Sequence, residues 1–546
     1  MKVFQPKLFT ELKNYSAKKL TNDLIAGLIV AIIALPLSIA LAIASGVSPE
    51  KGLYTAIVAG FVIALLGGSK VNISGPTAAF ATIVAGIVAQ YGISGLAIAT
   101  IMAGLILILM GICKLGALIK YIPATITTGF TSGIAVTIVV GQLKDFFGLT
   151  FAPGTHAVET MEKLSAVAGS FWTLNWQSLI VGAVALAILA VWPKISKKIP
   201  GSLVVVILGA LVVKLCGLNV NTIGDLYTIT NTPPTFALPA FDFAKVKELI
   251  PSAFTIAILA AIESLLSCVV SDGMIGDKHN SNTELIAQGA GNIFSGFFGG
   301  IPATGAIART AANVKNGGQS PVAGIVHAVV LLLILVVLMP YAALIPMPVI
   351  AAILIMVAYN MCEWREFVKI CKTAPKSDIL VLVITFVLTV VFDLVVAIEI
   401  GMLVAVILFM KRMADVTHIR RWTERESIAD DIGRLKRIPQ NTQVYEINGP
   451  MFFATSDKVD EIPLDEGIKV VIFRMRNIPA LDISALHSIE AVCKHFNKKG
   501  ITVLFSHVNK QPLAVMKKAG FYEKIGENNF LANIDEALAY ADTINE

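Results

Sequence analysis

Long apolar runs fill the first three quarters of the chain, near residues 24–43, 52–67, 95–113, 124–143, 176–192, 202–216, 249–270, 321–340, 344–359 and 378–410. A membrane-spanning helix takes about 20 residues, so most of these runs can cross a bilayer core and the last can cross it twice. Two stretches break the pattern. "KVNISGPTAAFATIV" at 70–84 interrupts apolar sequence with Gly75 and Pro76, and "GGIPATGAIART" at 299–310 does so with the same residue types. Counting these and a further segment at 284–298, the pattern predicts an α-helical multi-pass membrane protein of about fourteen passes.

After Met410 the pattern changes abruptly. "KRMADVTHIRRWTERESIADDIGRLKR" is charged and reads as a connector leaving the membrane. Beyond it, "TQVYEING", "IKVVIFRM" and "ITVLFSHV" read as strands, while "DISALHSIEAVCKHFNKKG" carries apolar residues at 483, 486, 489, 492, 493 and 496 and stops at Gly500. "QPLAVMKKAGF" and "NIDEALAYADTI" read as further helices, so the tail predicts a small α/β layer domain. The resulting division is an N-terminal segment 1–23, a transmembrane domain 24–412, a linker 413–435 and a tail domain 436–546.

Composition supports the membrane class. Of 546 residues, 56% are hydrophobic and 15% charged, and the mean hydropathy is +0.77, too apolar for a soluble domain. Charge sets the orientation. Lys2, Lys7, Lys13, Lys18 and Lys19 precede the first span, Lys194, Lys197 and Lys198 fill one short loop, and Lys369, Lys372 and Lys376 fill another. The positive-inside rule makes these cytoplasmic. The longer, less basic loops at 144–175 and 217–248 suit the outer face, and an even number of spans then leaves both termini in the cytoplasm. The first span, with "AIAS" at 42–45, imitates a signal peptide, but its apolar run is too long and more spans follow, so it is read as retained. The six cysteines show no metal or CxxC spacing and read as packing residues.

An ionisable residue inside a span marks function by default. Glu263, in "SAFTIAILAAIESLLSCVV", lies roughly 20 Å along its helix from the start of the apolar run. The bland alternatives are a bond to a neighbouring helix or a place near the interface. The two broken segments offer a reason for the carboxylate. Irregular backbone at membrane depth is tolerated where it is buried or lines a wet cavity, and the N-termini of half-helices direct positive partial charge at whatever sits there. Thr77 can add a hydroxyl at the first terminus, while Gly305, Ala306, Ile307 and Ala308 can present backbone N–H groups at the second. Pro36 precedes Thr77 by 41 residues and Glu263 precedes Ala306 by 43, which suggests two related halves. Arg309 could pair with Glu263, balance the dipoles near an anion, or snorkel toward the cytoplasm.

These segments resemble a known family. "LIAGLIVAIIALPLSIALAIASGVSPEKGLY", "ISGPTAAFATIV", "AAIESLLSCVVSDG", "GGIPATGAIART" and "ALDISALHSIEAV" occur in the order found in the SulP (sulfate permease) anion transporters, which end in a cytoplasmic STAS domain. The resemblance covers nearly the whole chain. It implies about fourteen transmembrane segments in two inverted seven-segment repeats, a core domain moving against a gate domain, and a homodimer. By position it places Leu37, Leu41, Thr77 and Gly305 to Arg309 at the substrate site, with Glu263 and Ser267 at the coupling-ion position. The chain departs from the family's sodium-coupled bicarbonate branch, which carries Asp where Glu263 stands. In STAS relatives that act as anti-sigma antagonists a phosphorylated Ser follows the Asp directly, whereas Ile483 follows Asp482.

Together these readings describe a plasma- or inner-membrane secondary transporter for a small inorganic or carboxylate anion, with bicarbonate, sulfate and dicarboxylates as candidates and bicarbonate or a small carboxylate ranked first. A proton is the favoured coupling ion; sodium held at Glu263 and Ser267 is the alternative. A passive anion channel or uncoupled exchanger is the rival class. No nucleophile with a paired base, metal cluster, phosphate loop or cofactor motif is visible, so no enzyme activity, no cofactor and no nucleic-acid partner is expected.

Overall fold

The computed structural model describes residues 4–117, 123–153, 157, 159–196, 199–239, 243–392, 394–423 and 437–546. Lys2, Lys197, Lys198 and linker residues 424–435 lie outside them. The described chain forms two compact units, Met1–Met402 and Leu403–Glu546.

The first unit is helical: α1 Ala17–Ala44, α2 Pro49–Leu66, α3 Ala81–Ile112, α4 Ala124–Phe147, α5 Trp176–Ile195, α6 Gly201–Cys216, α7 Phe243–Ile275, α8 Ser281–Phe297, α9 Ile307–Lys315, α10 Val322–Ala342, α11 Met347–Met361, α12 Lys376–Val391 and α13 Leu394–Val416, the last running into the second unit. Eight helices among the described residues are long and apolar enough to cross a membrane. Most of the runs read from the sequence correspond to these eight; the run at 202–216 is the shorter helix α6, and the run at 378–410 divides between α12 and α13. Within α3, Gly92 has φ 68° and ψ −172°, which separates a half-helix from the span that follows it. A left-handed residue breaks the ladder, and glycine takes that conformation without steric penalty.

Both interrupted segments are short strands. β1 (Ser74–Gly75) pairs antiparallel with β2 (Thr304–Gly305), Ser74 opposite Gly305 and Gly75 opposite Thr304. A 3₁₀ turn at Ala78–Phe80 leads from β1 into α3, and α9 follows β2. Because the strands are antiparallel, the two half-helices leave the pair in opposite directions.

Small residues let the helices around this crossing close up. At Gly289 of α8 an added Cβ would lie 2.5 Å from the Gly104 carbonyl oxygen of α3, and at Gly104 one would lie 2.6 Å from the Gly289 oxygen. The two backbones therefore touch. The N-terminal segment is tied to the same unit: the Lys7 N–H donates to the Gly67 carbonyl (2.9 Å), and Lys70 pairs with both Glu11 and Asp277 (3.0 Å each). Partial burial alone would push the Asp277 carboxyl up, but the bonds from Lys70 and the Lys278 backbone, with the charge of Lys7, hold it down at about 2. A depressed carboxyl contributes its stability above its unfolded value and loses it only as pH falls toward 2, so this clasp stays closed at physiological pH.

The second unit contains a five-stranded sheet ordered β3 (His418–Arg421), β4 (Thr442–Asn448), β5 (Val470–Asn477), β6 (Thr502–Ser506) and β7 (Phe530–Leu531), parallel except for the β3–β4 pair. The linker assigned to 413–435 thus begins inside α13, and its residues 418–421 form an edge strand. Charged "HIRR" hides this strand because an edge presents only part of itself to the core. Helix α14 (Ile483–Lys498) packs Leu486, Ile489, Cys493 and Phe496 onto the sheet, while α15 (Lys510–Lys518) and α16 (Ile534–Asn545) complete the layers. Ile483, grouped with that apolar face in the sequence, is 51% exposed. It is the first helical residue, directly after the cap Asp482, whose carboxylate accepts the Ala485 N–H at 2.9 Å.

Candidate functional site

The candidate site is built around the paired strands from which the half-helices start. Thr77 is the N-cap of the 3₁₀ turn that opens the first, a position where a hydroxyl ordinarily accepts from the N–H groups of its own helix. It makes no such bond. Its hydroxyl instead donates to Glu263 Oε2 of α7 at 2.9 Å. At the second half-helix the N-cap is Ala306, which has no side-chain acceptor to offer. Both N-termini therefore lack a capping side chain, and the first-turn N–H groups of each have no partner within the helix. Two positive helix ends beside a carboxylate that already accepts a hydroxyl form an anion-attracting corner with one titratable wall.

Neighbouring elements fix this corner. The Thr304 hydroxyl donates to the Ala260 carbonyl of α7 (2.9 Å), one turn before Glu263. A Cβ at Gly305 would come within 3.0 Å of Ser264 Cα, so β2 lies flat on α7. The Ala306 N–H donates to the Ile73 carbonyl (2.8 Å) and extends the strand ladder. Of the four residues expected to present N–H groups, Ala306 thus spends its own on β1, Gly305 sits in the strand pair, and Ile307 and Ala308 occupy the first helical positions.

Arg309 is 1% exposed and so does not snorkel. Its bonds go elsewhere than to Glu263: Nη2 donates to Ser38 Oγ of α1 at 3.3 Å and to the Pro76 carbonyl at 3.2 Å. It crosses Gly75, where any Cβ would lie 2.5 Å from its Nη1. Among the described residues its Nε and Nη1 have no partner. The guanidinium thus ties α9 to α1 and to Pro76, the residue directly before Thr77.

Ser267, one turn after Glu263, is fully buried and belongs to a different network. Its hydroxyl donates to Asn72 Oδ1 (2.8 Å) and to Thr310 Oγ1 (3.1 Å). Leu41 is buried and Leu37 half-buried on α1, three and one residues from Ser38 on either side of the turn that meets Arg309. Sequence reasoning missed Asn72, Glu284, Gln288, Asn292 and Thr310, which hold the loops before the half-helices. The available signal was the recurrence of polar residues at 284, 288, 292 and 295 in a segment otherwise fit to be a span.

The chain is similar to known proteins in sequence and in overall fold. Residues 20–385 match the sulfate permease family, two thirds of the sequence. The chain belongs to that family. Residues 435–537 match the STAS domain, so the sulfate permease chain here is an integral membrane protein with a small α/β tail. It is 39% identical over 533 residues to "Putative sulfate transporter YvdB" of Bacillus subtilis (strain 168), covering 96% of this chain and 98% of the relative. It is 30% identical over 546 residues to "Bicarbonate transporter BicA" of Picosynechococcus sp. (strain ATCC 27264 / PCC 7002 / PR-6), covering 96% and 95%. Its fold matches the murine Slc26a9 anion transporter in the inward-facing state with a TM-score of 0.89 at 18% identity, over 98% of this chain and 94% of that one.

Proposed function

We propose that this chain is a secondary active transporter that moves a small anion across the membrane by alternating access, as a proton-coupled symporter. The observation that carries the reading is the Thr77–Glu263 bond at two uncapped half-helix ends, which places a titratable group beside the anion position. A proton on Glu263 removes like-charge repulsion as the anion binds, and the two then travel together. Sodium is the lesser alternative. It would need several hard oxygen ligands beside Glu263, and the Glu263 carboxylate is bonded to Thr77 while Ser267 is bonded to Asn72 and Thr310. The names of the relatives support sulfate and bicarbonate as candidates, and dicarboxylates remain on the test panel. The reading further assigns two inverted seven-segment repeats, a homodimer, and both termini in the cytoplasm.

Reconstituted into proteoliposomes, the protein is expected to accumulate labelled sulfate or a labelled carboxylate only under an inward proton gradient, with bicarbonate competing. Equilibration at channel-like rates with no gradient dependence rejects the symport reading in favour of a passive pathway or uncoupled exchange.

The dipole-based site sets an order among variants. Thr77→Val removes one hydroxyl and is expected to weaken anion binding about tenfold, and Ala306→Leu crowds the second helix end with a comparable loss. Arg309→Lys keeps a cation at that position and costs less. Equilibrium titration of purified protein with sulfate and bicarbonate checks this; two site variants that bind like wild type place the anion elsewhere.

A further inference from the structure

The loops that deliver the chain to β1 and β2 are irregular, buried backbone, and one helix satisfies both. At the start of α8, the Glu284 carboxylate accepts from the Gly68 N–H (2.9 Å), the Ser69 N–H (3.3 Å) and Asn72 Nδ2 (2.8 Å). One turn on, Gln288 Nε2 donates to Ser74 Oγ (2.9 Å) and to Glu284 Oε1 (3.0 Å). Another turn on, Asn292 accepts the Ala303 N–H and donates to the Ala303 carbonyl, both at 2.8 Å. Ser295 donates to the Ile301 carbonyl (2.7 Å). All four side chains are 0–1% exposed. Glu284 and Gln288 hold the approach to the first half-helix, and Asn292 and Ser295 hold the approach to the second.

The polar stripe runs from Glu284 to Ser295, twelve residues of one helix, about 16 Å at the helical rise. On another face Gly289 presses backbone to backbone against Gly104, and a Cβ at Gly296 would lie 2.7 Å from the Ile101 side chain. The helix is thus clamped on one face and bonded to both loops on another. A link to α9 closes the frame, because Asn72 Oδ1 also accepts the Thr310 hydroxyl at 3.0 Å.

We propose that α8 is a strut whose buried stripe of Glu284, Gln288, Asn292 and Ser295 sets the separation of the two half-helix ends and thereby selects which anion fits between them. The inference rests on the anion site proposed above. Gln288 is the informative member, since it joins the Glu284 carboxylate to β1 and touches neither the anion corner nor Arg309. These are positioning residues. They act through the loops, so their loss moves selectivity as well as affinity.

The test compares Gln288→Leu with Ser320→Ala in the full-length protein, by titration with sodium sulfate and sodium bicarbonate and by thermal unfolding. Ser320 makes a buried 2.5 Å bond to Asp23 in the same unit, past the C-terminal end of α9 and opposite its N-terminal end at the corner, and serves as a structural comparator. Gln288→Leu is expected to weaken binding of the preferred anion about tenfold and to shrink the ratio of the two Kd values at least about threefold. Ser320→Ala lowers the unfolding temperature and leaves that ratio unchanged. If Gln288→Leu yields no folded protein, Ser295→Ala makes the same test on the second loop. Wild-type protein that binds neither salt overturns the anion-site reading and the strut with it. Wild type that binds, with the strut variants keeping its Kd ratio or Ser320→Ala shifting it equally, overturns the strut alone.

Discussion

Glu263→Gln is expected to bind anion and exchange it across the membrane while losing all accumulation driven by a pH gradient. Glutamine keeps an acceptor oxygen for the Thr77 hydroxyl, which lies 2.9 Å from the native carboxylate, and it mimics the protonated side chain. The site therefore stays in its anion-ready form at any pH. With one proton per monovalent anion, a gradient of one pH unit sustains about tenfold accumulation, since about 1.4 kcal/mol corresponds to a factor of ten. The variant should reach equal concentrations on both sides instead. Counterflow and gradient-driven uptake, run on the same vesicles, separate the two activities. Wild-type uptake that requires sodium at fixed pH and ignores a proton gradient assigns the coupling to sodium.

Gly289→Leu is expected to abolish folded protein altogether. Even the first added carbon would lie 2.5 Å from the Gly104 oxygen and 2.7 Å from Ile108 Cγ1, and backbone cannot yield as a side-chain end can. Overpacking a well-formed core costs about 1–3 kcal/mol for modest insertions, and here the helices must separate along the length of the strut. Gly141→Ala in α4 is the control, because a Cβ there meets nothing within 4 Å. It should fold as well as wild type or better, since alanine outranks glycine in a helix. Size-exclusion profiles of detergent extracts distinguish the two outcomes, and a monodisperse Gly289→Leu peak contradicts the described contact.

What the sequence revealed and what it hid follow from the kind of signal each residue leaves. Gly75, Pro76 and the "GGIPATG" stretch stand out because breakers inside apolar runs need a reason, and Glu263 stands out because hydrocarbon penalises charge. Those few positions locate the corner. The pairing of β1 with β2 was not legible, since two-residue strands carry no periodicity. Nor was the direction of Arg309: its charge announces that it matters, but its reach to Ser38 and Pro76 depends on how three segments cross. Asn72, Gln288 and Asn292 escaped notice for a different reason. An uncharged amide carries no formal charge to mark it as functional, and its partners, such as the Ala303 backbone for Asn292, lie on other segments and show only in three dimensions. In the tail, the strand–helix alternation was plain, while edge strand β3 was masked by its charges.

The crossing of the half-helices bears on how the protein is made. The Pro76 carbonyl takes its bond from a guanidinium 233 residues further along the chain, and β1 has no ladder partner until β2 has emerged. The ribosome thus releases the first half before the native partners of β1 and of the Pro76 carbonyl exist. Insertion of the early spans must tolerate an unfinished segment for the whole time needed to synthesise the second half. A stop codon or a slow stretch between residues 76 and 304 should therefore leave an intermediate that quality-control proteases recognise, even though apolar spans such as α1 and α2 are already made.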